Sequence, residues 1–471
     1  MRHMKSIPIP EILKKVNEIF EEKGFEAYLV GGAVRDVLLG KPASDWDITT
    51  NAKPEDMIRI FHRVIPTGIA HGTVTIHFMG KEIEATTFRS ESGYSDGRHP
   101  DSVSFNATLE DDLSRRDFTM NAIAASLKDG RIIDPFDGQK DIKAKIIRTV
   151  GKPEERFLED GLRPIRALRF SSQLNFKIEE ATYEAIKENQ VQEKIKSISM
   201  ERFRDEFEKI LHSEEPSLAL RRMEATGILK IFLPELTECR NCSQADIRSY
   251  HVFDVLDHNL YACDGAPREN LIVRLSALFH DVGKVQAKSI EKVEYPAGSG
   301  TFVDIIHFYR HEVYSAQLVR PILTRLKFPN AVIDSVEHLV ENHMFHFEES
   351  WSDAAIRRFI VKVQPEYLND LFDLRLADMY GKYRRKPEPG SDGVKKLVIL
   401  KKRVEEIQSQ ENALSLKDLA VNGKDLIQAG IQPGKGLGAI LNELFQCVLD
   451  DPQMNEKEKL LTVAKNIAKK S

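Results

Sequence analysis

Residues 31–48 read GGAVRDVLLGKPASDWDI. The run AYLVGG, 27–32, is short and apolar, as a buried strand is, and it ends in two glycines. AVRDVLLG then reads as a helix closed by Gly40. Gly31 and Gly32 carry no side chain, so backbone N–H groups can approach a phosphate at the helix N-terminus, where the dipole favours anions. Arg35 lies one turn in and can add a charge-assisted bond to the same triphosphate. WDITT reads as the next strand. Residues two apart on a strand share a face, so Asp45 and Asp47 converge. Paired carboxylates suit a hard, oxygen-seeking cation. Such a pair holds two Mg2+ ions, one activating an attacking hydroxyl and the other steadying a leaving pyrophosphate.

Outward from this stretch, Pro54 opens another helix, PEDMIRIF. VTIHF and EIEATTF alternate about Met79-Gly80-Lys81 and predict a hairpin. Glu84 on that hairpin can join the two aspartates from a neighbouring strand. Glu82 has the same parity, and parity alone barely separates them. Residues 89–104 are polar, with Gly93, Gly97 and Pro100, and predict a mobile loop. From about 150 onward apolar residues recur at three and four, in 156–170, 180–195, 200–211, 215–230 and 251–265, so helices are expected. Linkers are expected around Tyr295-Pro-Ala-Gly-Ser-Gly300 and at 384–393, RRKPEPGSDG.

A chain of 471 residues predicts three or four domains. With a net charge of −5, the whole chain shows no basic footprint for nucleic acid, so any RNA contact must use local clusters. Four cysteines exclude a disulfide framework, and Cys239-x-x-Cys242 lacks a second pair at zinc spacing. No apolar run approaches membrane-spanning length, and MRHMKSIPIP lacks a signal-peptide core. A soluble cytoplasmic protein is expected, with no membrane and no obligatory protein partner.

EDGLRPIRALRF, 159–170, spaces Asp160, Arg163, Arg166 and Arg169 three apart, which makes them neighbours along a helix. An aspartate acceptor beside an arginine donor complements the pairing edges of cytosine and adenine, whereas uracil and guanine present the reverse pattern.

The spacing G-[GS]-x-x-R, then D-x-D ten residues after the arginine, resembles the DNA polymerase β-like nucleotidyltransferases. The fuller run resembles bacterial CCA-adding enzymes and their poly(A) polymerase relatives. EATTFRSESGYSDGRHPDSVSF carries the family's strand and loop, with Glu84 in the acidic position. LSRRDFTMNAIA (113–124), DPFDGQKDI (134–142), EDGLRPIRALRF and ERFRDEFEKIL (201–211) follow in the family's order. The resemblance implies Mg2+ on Asp45 and Asp47, and transfer from CTP and ATP to the tRNA 3′ end. It implies nucleotide contacts from Gly31, Gly32, Arg35, Arg116, Asp117, Asn121, Glu159, Asp160, Arg163, Arg166 and Arg169, with Asp160 and Arg163 as the base-selecting template. Taken bare, Arg115-Arg116-Asp117 reads as a charged helix start. The fold implied is α+β. A polymerase β-like head with a small mixed sheet (1–150) precedes an all-α neck that selects the nucleotide (151–235), a body (236–384) and an RNA-binding tail (385–471).

LIVRLSALFHDVGK, 271–284, is apolar nearly all round and reads as a buried helix carrying His280 and Asp281 near its end. This His-Asp-x-Gly-Lys run resembles the HD phosphohydrolases. The resemblance implies His258, His280, Asp281 and Asp378 as core ligands, with His311 and His343 as an extra pair. Histidine and carboxylate ligands suit Mn, Ni or Fe as well as Mg. In the tail, 418–441 predicts a helix, a turn at Gly430 and a glycine-rich helix start at which Lys435 can meet a phosphate. KKLVILKKR and the Lys-rich terminus can add nonspecific phosphate contacts.

Within the family, narrower outputs compete with CCA addition: A only, CC only, or poly(A). The 89–104 loop disfavours a CC-only enzyme, in which this loop is reduced, and the arginine-rich motif of poly(A) polymerases is absent from the sequence. An HD-type metal phosphohydrolase with an RNA-binding head is the alternative of another class. The acids retained at both sites disfavour a non-enzymatic RNA binder.

Overall fold

Strand β1 (Ala27–Val30) lies near the middle of a seven-stranded mixed sheet, and its pairing decides where the acids of the head meet. It runs antiparallel to β2 (Asp47–Thr50), with Val30 opposite Asp47. The exit of β1 into Gly31 therefore lies beside the entry of β2. The computed structural model describes residues 4–43, 45–92, 102–247, 252–410, 414–434 and 436–470. These form two compact units, Met1–Pro234 and Glu235–Ser471.

In the first unit, β3 (Val64–Gly68), β4 (Thr73–Phe78) and β5 (Lys81–Thr87) extend the sheet on one side of β2. A short ribbon follows, β6 (Ser90–Ser92) antiparallel to β7 (Ser102–Ser104). Strands β8 (Ala124–Ser126) and β9 (Ile132–Ile133) complete the sheet beyond β1. The hairpin of β4 and β5 turns at Met79 and Gly80, both at positive φ, as a tight two-residue turn requires. Helix Glu11–Glu22 buries Leu13, Val16 and Phe20, and Phe20 meets Phe61 edge-on at 5.1 Å.

Several expectations change. Asp45 precedes β2 rather than lying on it, so its approach to Asp47 comes from the turn, not from strand parity. The ends of the expected loop 89–104 pair as the β6–β7 ribbon; its centre, 93–101, lies outside the described residues, as does Lys435. Arg115-Arg116-Asp117 follows the end of helix Leu109–Ser114 instead of starting one. The 180–195 periodicity divides into helices Glu180–Ile186 and Asn189–Lys196.

The neck helix Leu162–Gln173 begins after Asp160, which sits in extended backbone at the end of helix Pro153–Glu159. Gly161 follows in helical backbone and must lack a side chain: a Cβ there would lie 2.6 Å from the Lys194 carbonyl oxygen. The parallel pair β10 (Ile146–Ile147) and β11 (Lys177–Ile178) ties the end of the head to the chain after this helix. Beneath it, Phe203 stacks on Phe232 at 3.9 Å between ring centres.

Among its described residues the second unit is helical apart from one antiparallel hairpin, β12 (Lys288–Glu294) with β13 (Phe302–Phe308). The segment 295–300, read above as a linker, is that hairpin's tip. The 384–393 linker does separate helix Leu368–Tyr383 from helix Asp392–Ser409. One apolar core joins helices Val255–Gly265, Leu271–Phe279, Asp353–Val363, Leu368–Tyr383 and Asp392–Ser409. A second core gathers Leu426, Leu444, Val448 and Leu460 near the C-terminus. No helix is long and apolar enough to cross a membrane among the described residues.

Replacing Gly161 with Val forces a side chain against the Lys194 carbonyl. The expected loss is about 1–3 kcal/mol, as in other overpacked sites. Urea denaturation of the purified protein measures it, and an unchanged midpoint contradicts the close-approach reading.

Candidate functional site

The parallel pairing of β2 and β5 sets Asp47 directly opposite Glu84. This register separates the two glutamates that parity left equal, since Glu82 lies beyond the end of β2 and faces His77. Asp47 opens to the cavity, yet partial desolvation and repulsion from Glu84 and Asp45 outweigh Arg116 and push its pKa up to about 6. Carboxylates that crowd one another in this way fit a divalent cation, whose charge relieves the repulsion.

Gly31 stands at the rim with φ near +69°, a region that favours glycine. A Cβ there would lie 3.1 Å from an Nη atom of Arg116. Arg116 is held from below by Asp112, which is wholly buried and also accepts from Arg115 and from the Thr49 hydroxyl. Arg35 donates to Asp36 and to Asn121, each at 2.9 Å, and Asn121 in turn donates to Asp117 at 3.0 Å. Gly31, Arg35, Asp36, Arg116, Asp117 and Asn121 line a cavity of 530 Å³ together with Asp45, Asp47, Arg166, Arg169, Phe170, Gln173 and Lys209. Cavities of several hundred Å³ take nucleotide-sized ligands.

The neck helix contributes the arginines. Arg166 donates to Asp117 at 2.8 Å, and Arg169 donates to Glu206 at 2.5 Å. Burial alone would raise the Asp117 pKa, but Arg166, Asn121 and Arg163 outweigh it and hold the carboxyl at about 2. The guanidinium of Arg169 also lies over the Phe170 ring at 3.9 Å.

Asp160 and Arg163, expected as neighbours on one helix, each take other partners. Asp160 accepts from Arg202 at 2.8 Å, and from the Leu162 N–H at 3.0 Å. Arg163 donates to Glu159 at 2.5 Å and to the carbonyls of Arg156 and Arg115, each at 3.0 Å. The extended backbone at Asp160 takes its carboxylate off the helical stripe, which is why i,i+3 adjacency fails. Glu84, Glu159, Asp160 and Arg163 do not line the described cavity, whereas Gln173 and Lys209 do. Arg202, Glu206 and Lys209 went unsingled in the sequence, although ERFRDEFEKIL contains all three. The signal was the i,i+3 and i,i+4 spacing of charges on one helix face, which any exposed helix also shows.

In the second unit, all six HD-type side chains converge. His258 Nε2 lies 3.1 Å from His280 Nε2, 3.4 Å from Asp281 and 3.3 Å from Asp378. His311 and His343 approach the other Asp281 oxygen at 3.1 and 3.7 Å. The Nδ1 atoms of His280, His311 and His343 each meet a backbone carbonyl, at 2.8, 2.9 and 2.7 Å. A carbonyl only accepts, so in the neutral rings Nδ1 carries the proton and Nε2 is left as a lone-pair donor facing the cluster. The Nε2 atoms of His311 and His343 and one Asp281 oxygen are buried without a hydrogen-bond partner among the described residues. That donor set fits a transition or divalent metal. Burial pushes His280 down to about 3, keeping it neutral and able to ligate. Lys284 adds a 2.6 Å ion pair to Asp281.

Cys239 and Cys242 are buried free thiols, each pushed up by burial, and Cys239 rests on the Glu235 carbonyl.

Residues 27–148 match the Poly A polymerase head domain family, 248–385 the HD domain family, and 382–464 the tRNA nucleotidyltransferase domain 2 family. The CCA-adding enzyme of Ligilactobacillus salivarius is 35% identical over 466 residues, 98% of each chain. That of Enterococcus faecalis is 34% identical over 473 residues, also 98% of each. The structure resembles the crystal structure of the Bacillus stearothermophilus CCA-adding enzyme in complex with CTP, with a TM-score of 0.72 and 29% identity over 98% of both chains.

The depressed pKa of Asp117 predicts an acid-dependent loss. Its folded value, about 2, lies below the ordinary 3.8, so the stability it contributes is present above about pH 4 and disappears as pH falls through 2. The stability gap between wild type and Asp117→Asn should narrow by about 2 kcal/mol as pH falls from about 5 to about 2, measured by denaturant titration. A gap that stays flat contradicts the Arg166 pairing.

Proposed function

Because the chain belongs to the CCA-adding enzyme family, we propose that it adds CMP and AMP to the 3′ end of tRNA without a nucleic acid template, building and repairing the CCA end. The observation that carries this reading is the 530 Å³ cavity, which brings Asp45 and Asp47 together with Arg35, Arg116, Arg166, Arg169 and Lys209. Acids for a divalent cation beside cations for a triphosphate are what nucleotidyl transfer needs. The near-full-length likeness to CCA-adding enzymes supports CTP, ATP and tRNA as partners.

The tRNA 3′-hydroxyl attacks the α-phosphate of CTP or ATP, a new P–O bond forms, and pyrophosphate leaves with the electron pair of the broken bond. Asp45 and Asp47 hold the divalent cation, which we assign as Mg2+, and Glu84 stands beside Asp47 as the third carboxylate. When bound, Mg2+ supplies charge stabilisation at the phosphate oxygens and a lowered pKa at the hydroxyl. Gly31 and Gly32 let backbone approach the triphosphate, and Arg35, Arg116, Arg166 and Arg169 bind it. Asp117 and Asn121 hold Arg166 and Arg35 in place and meet the ribose. Base selection is assigned by family resemblance to Asp160 and Arg163, which here pair with Arg202 and Glu159 outside the cavity lining and would exchange those partners for the base. The head is assigned to 1–150, the nucleotide-selecting neck to 151–235, the body to 236–384 and the RNA-binding tail to 385–471. A cytoplasmic location suits this activity.

A second reading rests on a separate observation, the converged cluster of His258, His280, Asp281, His311, His343 and Asp378. It supports a metal-dependent phosphohydrolase centre in the body, taking Mn, Ni, Fe or Mg.

Two experiments check these readings. Given tRNA lacking its last three residues, the protein should add three nucleotides only when CTP and ATP are both present. The Asp45→Asn/Asp47→Asn double variant should lose addition by about a thousandfold or more; survival of addition sinks the assignment, and a single A, two Cs or a long ladder selects a narrower product. Separately, the protein loaded with Mn2+ or Ni2+ should retain bound metal through gel filtration. Asp281→Ala should lose that metal and any phosphatase activity while nucleotide addition persists. Wild-type protein that holds no metal rules the second centre out.

A further inference from the structure

Behind the cations of the nucleotide cavity lies one carboxylate that no sequence motif reading singled out. Glu206, on helix Met200–Leu211, is 2% exposed and is shared by three cations. Its Oε2 accepts from Arg169 at 2.5 Å, and its Oε1 lies 3.7 Å from Arg166 and 3.2 Å from Lys209. Arg166 and Arg169 come from the neck helix, and Lys209 comes from Glu206's own helix. The plain alternative is that Lys209 and Glu206 form an ordinary i,i+3 surface pair, worth little. Burial argues against it: a surface pair does not need a carboxylate taken out of water, and an isolated buried carboxylate is costly unless several cations hold it. Burial pushes the Glu206 pKa up, but Arg169, Arg166 and Lys209 outweigh it and leave it below the ordinary value, so the group is a fixed anion.

The charge balance is informative. Arg166, Arg169 and Lys209 share the two carboxylates Glu206 and Asp117. These three cations thus outnumber the two carboxylates they pair with. Lys209 is the exposed member: its side chain is 54% exposed, against 7% for Arg169, and it lines the cavity. A compact ammonium on a flexible stem acts as a point charge for phosphate, unlike the fixed forks of the arginines.

We propose that Lys209 is a further triphosphate-binding residue of this site and that Glu206 is the positioning residue that aligns it with Arg166 and Arg169. This rests on the nucleotidyl-transfer reading above. Lys209 meets the outer phosphates of either CTP or ATP, the part the two substrates share, and so contributes to affinity without contributing to base choice. It also holds the pyrophosphate before release.

The test uses the full-length protein, tRNA lacking its 3′ nucleotides, and KM measured separately for CTP, ATP and tRNA. Lys209→Ala should raise KM for CTP and for ATP by about tenfold, the size of one lost charge-assisted hydrogen bond. The KM for tRNA should stay within about twofold, and inhibition by added pyrophosphate should weaken in parallel. Lys209→Arg should recover most of the loss. Glu206→Gln, checked for folding by its thermal transition, should raise both nucleotide KM values at least as far, because it releases all three cations. Unchanged nucleotide KM and pyrophosphate inhibition in Lys209→Ala overturn the proposal, and so does an equal rise in KM for tRNA. Wild-type protein that adds no nucleotide overturns the underlying function instead.

Discussion

The Arg166 guanidinium, held between Asp117 and Glu206, is the junction on which the nucleotide cavity depends. Asp117 belongs to the segment after helix Leu109–Ser114, Arg166 to the neck helix, and Glu206 to helix Met200–Leu211. Three stretches distant in sequence are thus joined through one planar cation. Both acids are buried, so neither can be left unpaired cheaply. Their burial makes the junction rigid, and rigidity suits a site that must choose a base without a template strand. The same logic recurs at Asp112, wholly buried beneath Arg115 and Arg116. Buried acids aim the arginines, and exposed acids face the cation site.

The cluster in the second unit works by a different constraint. Three of its histidines, His280, His311 and His343, are fixed by backbone carbonyls at Nδ1, which settles their tautomer and turns Nε2 inward. Two buried Nε2 atoms and one Asp281 oxygen without hydrogen-bond partners among the described residues are expensive in an apolar core. Helix packing around Ala262, Ala277 and Leu374 supplies the rigidity that holds them together. The two units therefore carry two separate constellations, one of carboxylates before, at the start of and opposite β2, and one of imidazoles and carboxylates on helices.

Much of this was legible in the residues. The glycine turn after AYLV, the short helix, the hairpin at Met79-Gly80 and the long helical remainder follow from periodicity and turn chemistry, which act over a few residues. The convergence of the six HD-type side chains was readable only through resemblance, since they span from His258 to Asp378 along the chain. Three readings failed for one reason. Asp45 was placed on a strand, Asp160 on a helix, and 295–300 in a linker. In each case the residue pattern was compatible with two local conformations, and the surrounding structure, not the pattern, chose between them. At Gly161 the neighbour is the Lys194 carbonyl, and at 295–300 it is the pairing of β12 with β13.

By itself the sequence determined which chemical groups are present and which local elements carry them: the acids at 45, 47 and 84, the arginines three apart in the neck, the His-Asp pair at the end of an apolar helix. Short-range geometry suffices for that, because strand and helix periods are properties of the backbone. Only the tertiary structure decided who pairs with whom. The β2–β5 register chose Glu84 over Glu82, and the extended backbone at Asp160 gave that residue to Arg202 and left Arg163 with Glu159. Helix packing brought Glu206 behind three cations. Ion pairing depends on distances of a few ångströms between side chains far apart in the chain, and no period in the sequence encodes those distances.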